Sequence, residues 1–151
     1  RKSKILDAGC GTGYVAETLK ELKFTNIIGL DYSEDMLKIA KSKNIYRRLI
    51  CQSLNKKTSL RSNQFDVILC TGVLTSGHVG PNAIKELIRL TKKNGYLILS
   101  ISEAIFEKLG FKKELERRKN ELKTKIISNR FVATPNNSHS AYSRMYVLTK
   151  V

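Results

Sequence analysis

The chain has no tryptophan, two prolines and three cysteines in 151 residues, and only 13 Asp and Glu against 28 Lys and Arg. Each shortage removes a class of protein. Two prolines exclude a proline-rich linker or recognition tract. An odd cysteine count without Cys-x-x-Cys spacing excludes a disulfide framework and speaks against a zinc site, so no metal is expected. Unpaired thiols fit a reducing compartment, which makes the cytoplasm the expected location and the nucleus the alternative. No apolar run approaches the roughly 18 residues of a membrane helix, so no membrane partner is expected. No signal-peptide pattern is visible.

The scarcity of acids leaves a formal net charge of +15. Such a charge attracts anions and favours non-specific contact with nucleic acid. Yet the densest basic stretch, residues 108–125, is interleaved with Glu114, Glu116 and Glu121, the pattern of a solvated helix face. No interleaved aromatics offer a platform for stacked bases. Nucleic acid is therefore the less favoured partner. The length fits one domain covering residues 1–151. The sequence is strand-like from its first residues, which reads as a domain lacking its native N-terminal segment.

Apolar periodicity alternates between strand and helix along the chain. Strands are expected at residues 4–8, 26–30, 48–51, 65–70 and 96–101. Helices are expected at 14–23, from the Ser33 cap to 43, from Pro81 to about 90, and at 111–123, where Leu115 and Leu122 lie one heptad apart. Residues 125–131 and 142–148 alternate as two final strands, joined by a Pro-, Asn- and Ser-rich connection. Alternating strands and helices give a doubly wound α/β sheet. Ligands then bind beyond the carboxyl ends of the strands, where strand order reverses. A terminal hairpin would add an antiparallel edge.

Three of the nine glycines fall within the run Asp7-Ala8-Gly9-Cys10-Gly11-Thr12-Gly13. Glycines there let backbone approach a ligand closely. Gly11 to Ala16 formally fits a dinucleotide fingerprint, and Asp31 follows about 20 residues on, placed to accept from ribose hydroxyls. Both NAD and S-adenosylmethionine satisfy that much. Asp7 separates them. A carboxylate beside the loop opposes a diphosphate, whereas S-adenosylmethionine carries an ammonium and a sulfonium and no phosphate. Met36, one helical turn beyond Ser33, offers a thioether to an adenine face or to the core. Cys10 reads mainly as a small residue filling the loop.

The run from Ile5 to Gly13, Asp31-Tyr32-Ser33, and Phe65-Asp66-Val67-Ile68 together resemble class I S-adenosylmethionine-dependent methyltransferases. The resemblance implies a Rossmann-like, seven-stranded, mostly parallel sheet of order 3-2-1-4-5-7-6, with helices on both faces and an antiparallel C-terminal hairpin. It implies S-adenosylmethionine as cofactor, S-adenosylhomocysteine as product, and cofactor contacts from Asp7, Gly9, Cys10, Gly11, Asp31, Tyr32, Met36, Gln52, Ser53 and Thr71. One departure is Cys51-Gln52-Ser53 after strand three, where many such enzymes carry an acid for the adenine amino group. Thr71 to Val79, followed by Ala83-Ile84-Lys85-Glu86-Leu87, resembles the methyltransferase-like protein 27 group.

In-line methyl transfer is chiefly a positioning task. His78, between Gly77 and Val79, is the candidate base where an acceptor must lose a proton. The expected acceptor is a small molecule, then a protein side chain. A catalytically inactive methyltransferase-fold binding module is the alternative.

Overall fold

In the computed structural model residues 2–77, 79–132 and 142–151 are described. Their strands form a single sheet of order β3-β2-β1-β4-β5-β8-β6, with β7 paired to β8. The central strands are β1 (Ile5–Ala8), β2 (Ile27–Asp31), β3 (Arg48–Cys51), β4 (Phe65–Leu74) and β5 (Thr91–Ser102). They pair in parallel, β1 lying between β2 and β4. Every residue of β1 and β2 is buried. Successive side chains point to opposite faces, so the sheet is covered on both. The chain moves outward from β1 to β3 and returns beside β1 as β4. Strand order therefore reverses at the loop after β1, the place where a crevice opens.

The helices α1 (Tyr14–Glu21), α2 (Glu34–Ser42) and α3 (Asn82–Leu90) form where apolar residues recur at helical spacing. Ser33 caps α2 by accepting from Met36 N–H, and α3 begins behind Pro81. Ala83, Ile84, Leu87, Ile88 and Leu90 of α3 are buried against the sheet with Phe65, Ile68, Leu97 and Leu99. Each large aliphatic chain so buried contributes about 1.5–3 kcal/mol. The helix expected at 14–23 stops at Glu21 as α1: Ala16 is buried, and Leu22 lies past the helix end and is 51% exposed.

The C-terminal edge corrects one expectation. The helix expected at 111–123 stops early as α5 (Phe111–Arg117), preceded by the single turn α4 (Glu103–Phe106). Leu122 opens strand β6 (Leu122–Ile127), and the short β7 (Phe131–Val132) follows. The heptad spacing of Leu115 and Leu122 was coincidental, because Leu122 is buried through strand pairing, opposite Lys150. Strand β8 (Tyr142–Lys150) lies antiparallel between β5 and β6, which makes the expected antiparallel edge. The connection expected to join the last two strands lies outside the described residues.

One glycine sits where a strand would prefer a side chain. A Cβ on Gly29, in the middle of β2, would lie 2.6 Å from Leu49 Cδ2, 2.9 Å from Tyr46 Cε1 and 3.0 Å from Cys10 Sγ. Gly29 thus admits the Tyr46 ring against the sheet. Gly29→Ala is expected to cost on the order of 1–3 kcal/mol through overpacking, read as a lower urea midpoint at unchanged m-value.

Candidate cofactor site at the carboxyl ends of the strands

A cavity of about 540 Å³ opens over the point where strand order reverses. Its walls come from four loops, each at the carboxyl end of a parallel strand. Gly9 and Gly11 follow β1; Leu30, Asp31, Tyr32, Ser33 and Met36 close β2 and begin α2. Gln52 to Asn55 follow β3, while Gly72, Val73, Gly77 and Val79 lie at and beyond the end of β4. In a chain with 28 Lys and Arg, none of these described lining residues is basic.

The glycine loop is tied down from below. Gly9 N–H and Cys10 N–H both donate to Leu30 O, at 2.7 and 3.0 Å, and Gly13 N–H donates to Cys10 O at 2.9 Å. Gly11 N–H donates to Asp31 Oδ2 at 2.8 Å. These amides would form an anion cradle if they were free. Here they are spent on the protein, one of them on a carboxylate. Gly9, at φ +78, is required twice, because a Cβ there would also collide with the Val73 side chain.

Asp31 is 8% exposed and reaches both flanking segments, its Oδ1 accepting from Ser33 N–H at 2.9 Å. Each oxygen keeps acceptor capacity toward the cavity it lines. Asp7 lies deeper, 1% exposed and outside the lining. Its Oδ2 accepts from the Tyr46 hydroxyl at 2.7 Å. Burial pushes its carboxyl from an ordinary 3.8 up to about 6; the Tyr46 bond opposes that rise and the Asp31 charge adds to it. No cation figures among these influences.

Of the expected contacts, Gly9, Gly11, Asp31, Tyr32, Met36, Gln52 and Ser53 line the cavity. Three do not. Asp7 sits beneath the loop, and Cys10 is buried with its thiol pushed up to about 12, chiefly by burial and then by Asp7 and Asp31. Thr71 is outside the lining; β4 pairs irregularly between Cys70 and Leu74, where Gly72 N–H donates to Ser100 Oγ at 2.8 Å. That irregularity presents Gly72 and Val73 instead. His78, the candidate base, lies outside the described residues. Leu54, Asn55 and Val79 were not singled out; their only signal was their place just after β3 and β4.

Gln52 lines the wall, but its Oε1 accepts from Ser59 N–H at 2.9 Å and Ser59 Oγ at 3.2 Å. The same wall is pinned to α3. Thr58 N–H and Oγ1 donate to Glu86 Oε1 at 2.8 and 2.7 Å, and Arg89 bonds both Glu86 oxygens. Burial alone would raise the Glu86 carboxyl, but the bonds from Arg89 and Thr58 outweigh it and hold it below its ordinary value.

With this geometry in place, comparison with known proteins assigns the family. Residues 6–99 match the methyltransferase domain model. Human methyltransferase-like protein 27 is 34% identical over 132 residues, covering 87% of this chain and 53% of that protein. A malonyl-[acyl-carrier protein] O-methyltransferase from Buchnera aphidicola is 33% identical over 96 residues, covering 64% of this chain and 38% of that one. The chain spans about half the length or less of these relatives. Two solved structures share the fold. The S-adenosylmethionine-dependent methyltransferase of Mesorhizobium loti has a TM-score of 0.71 at 16% identity, over 97% of this chain and 90% of that one. A TehB-like methyltransferase of Corynebacterium glutamicum has a TM-score of 0.74 at 22% identity, over 100% and 82%.

The chain belongs to the class I S-adenosylmethionine-dependent methyltransferases, and within them it is similar to methyltransferase-like protein 27. S-adenosylmethionine is the cofactor this membership implies. The residues present fit it: no described lining residue is basic, Gly9, Cys10, Gly11 and Gly13 N–H are occupied, and two buried acids stand by the cavity, Asp31 on its wall and Asp7 beneath its loop.

Asp7 makes a pH-dependent prediction for the ligand-free protein. Its folded pKa lies above its unfolded one, so its charge opposes folding. That opposition is absent below pH 3.8, grows from there to about 6 and is complete above. The gap in unfolding free energy between Asp7→Asn and the parent should widen in favour of Asn, by roughly 2 kcal/mol between pH 4 and pH 7. Denaturant titrations at several pH values read it directly.

Proposed function

We propose that this protein binds S-adenosylmethionine in the 540 Å³ cavity and transfers its methyl group in line to an acceptor, a small molecule in preference to a protein side chain. The observation that carries the reading is the charge of the site. A strongly basic chain encloses a cavity without a described basic lining residue, with Asp31 on its wall and Asp7 beneath its loop. Bound there, the cofactor supplies an electrophilic methyl on a positively charged sulfur. The protein's own task is to hold and orient.

Asp31 accepts from the ribose hydroxyls with the acceptor capacity left beyond Gly11 and Ser33. Tyr32 and Met36, 67% and 44% exposed at the rim, offer apolar surface to the base, with Leu54 and Val79 among the other apolar walls. Asp7 supports the cationic amino-acid end from beneath the loop. His78 serves as base where the acceptor must lose a proton. Three free thiols fit a reducing, cytoplasmic setting. Among the described residues no helix is long and apolar enough to cross a membrane.

One observation favours a second reading, a methyltransferase-fold binding module without turnover. Where an acid would grip the adenine amino group there is Gln52, and its oxygen is already committed to Ser59. Release of S-adenosylhomocysteine on incubation with a metabolite extract separates the two. Enzyme-dependent release supports transfer, and binding without release supports the module.

Calorimetry with S-adenosylmethionine tests the cavity. Asp31→Ala should weaken binding by about 1.5–3 kcal/mol, the scale of hydrogen bonds to a charged group. Unchanged affinity in a folded variant removes the ribose assignment. Binding of NADH in preference to S-adenosylmethionine overturns the donor reading.

A further inference from the structure

Tyr46 belongs to none of the motifs that mark the site, yet it touches every part of the loop's foundation. It lies in the turn between α2 and β3. Its ring passes beneath the glycine loop, where a Cβ on Gly13 would be 3.2 Å from Cε2 and one on Gly29 would be 2.9 Å from Cε1. Its hydroxyl donates to Asp7 Oδ2 at 2.7 Å. The Cys10 thiol lies against the same hydroxyl.

The groups facing Asp7 come from four segments. They are Tyr46 from the α2–β3 turn, Cys10 from the glycine loop, Asp31 from the end of β2 and Cys70 from β4. None is a cation. Burial and the Asp31 charge both disfavour an ionised Asp7, and the Tyr46 bond alone favours it. A hydrogen bond of this length to a carboxylate is among the stronger ones a neutral donor makes. The phenol is itself held in its protonated form, because burial and then Asp7 raise it above its ordinary value. It therefore remains a donor at any pH the protein meets.

We propose that Tyr46 is a positioning residue for the methyl donor. Through its hydroxyl it holds Asp7 aimed and ionised beneath Gly9–Gly13, and so sets the site's grip on the cationic amino-acid end of S-adenosylmethionine. The inference rests on the donor reading above. A tyrosine that only wedged the loop apart would act through its ring and would not need its oxygen.

The test compares two ligands over pH 5–8 by calorimetry. S-adenosylmethionine carries the cationic end, and 5′-methylthioadenosine lacks it. In the parent protein, affinity for S-adenosylmethionine rises with pH through about 6, as Asp7 ionises. Tyr46→Phe keeps the ring and removes the oxygen. It should weaken S-adenosylmethionine on the order of tenfold at pH 7 and move the rise upward by roughly one pH unit. Affinity for 5′-methylthioadenosine should change less than about twofold. With Asp7 already changed to Asn, Tyr46→Phe should add little for either ligand, since the residue acts through Asp7.

Equal losses for both ligands, or an unmoved pH profile, overturn the proposal and leave the donor reading intact. If Tyr46→Phe does not fold, Asp7→Asn alone decides. A flattened profile with a loss confined to S-adenosylmethionine supports the proposal, and an unaltered profile overturns it. Failure of the parent protein to bind S-adenosylmethionine overturns both readings together.

Discussion

The structure turns on a carboxylate buried without a counter-ion. Asp7 is the penultimate residue of the central strand, lies 1% exposed, and has a phenol rather than a cation as its hydrogen-bond partner. A buried acid in that state opposes folding of the empty protein. A site whose ligand brings the missing positive charge regains that free energy on binding. The same arrangement explains why the loop amides turn inward. Leu30 O, Cys10 O and the Asp31 carboxylate use them, so the loop presents little positive backbone to an anion. The glycine pattern looks like a phosphate cradle in sequence and is the reverse in space.

Charge is distributed accordingly. The excess of Lys and Arg lies outside the cavity, and much of it is engaged locally. Arg89 and Arg118 are bonded to Glu86, Glu114 and Glu121, and Lys150 donates to Asn63 Oδ1, Ile88 O and Thr91 O. The Glu86–Arg89 pair has a further consequence, since through Thr58 it fixes the wall that carries Gln52 to Asn55. The cavity thus has Asp31 on its wall and Asp7 beneath its loop, within a basic molecule. That contrast favours a small cationic group over a polyanion at this position.

Much of this was legible in the amino-acid sequence, for physical reasons. Buried parallel strands leave continuous apolar runs, and β1 at Ile5–Ala8 and β2 at Ile27–Asp31 fall within a residue of the bounds expected for them. Asn94, at φ +62, and Gly95 sit inside the irregular start of β5, which pairs regularly from Tyr96, the first residue of the strand expected at 96–101. The edge was harder. The strand expected at 125–131 takes in the end of β6 and the start of β7, while the beginning of β6, exposed apart from Leu122 and carrying Lys123, falls at the end of the helix expected at 111–123. In the site, spacing brought Asp31, Gly9 and Gly11 to the cavity wall but could not tell a wall position from one set back from it, as Asp7, Cys10 and Thr71 are. Tyr46 escaped because it reaches Asp7 from 39 residues away. Its trace was Gly29, a glycine inside a strand where another group comes close.

The central claim is that the bound ligand's positive end is matched to an ionised Asp7. Proton linkage tests it most directly. Near pH 6 about half of the Asp7 side chains in the empty protein carry a proton, whereas the ligand's α-ammonium remains charged there. Binding should therefore release up to about half a proton at pH 6 and little by pH 7, measured by calorimetry in buffers of different ionisation enthalpy. Release that is present at pH 6, fades by pH 7 and disappears in Asp7→Asn is the predicted result. Binding of S-adenosylmethionine at pH 6 with no proton released, or with the same release in Asp7→Asn, would contradict the account.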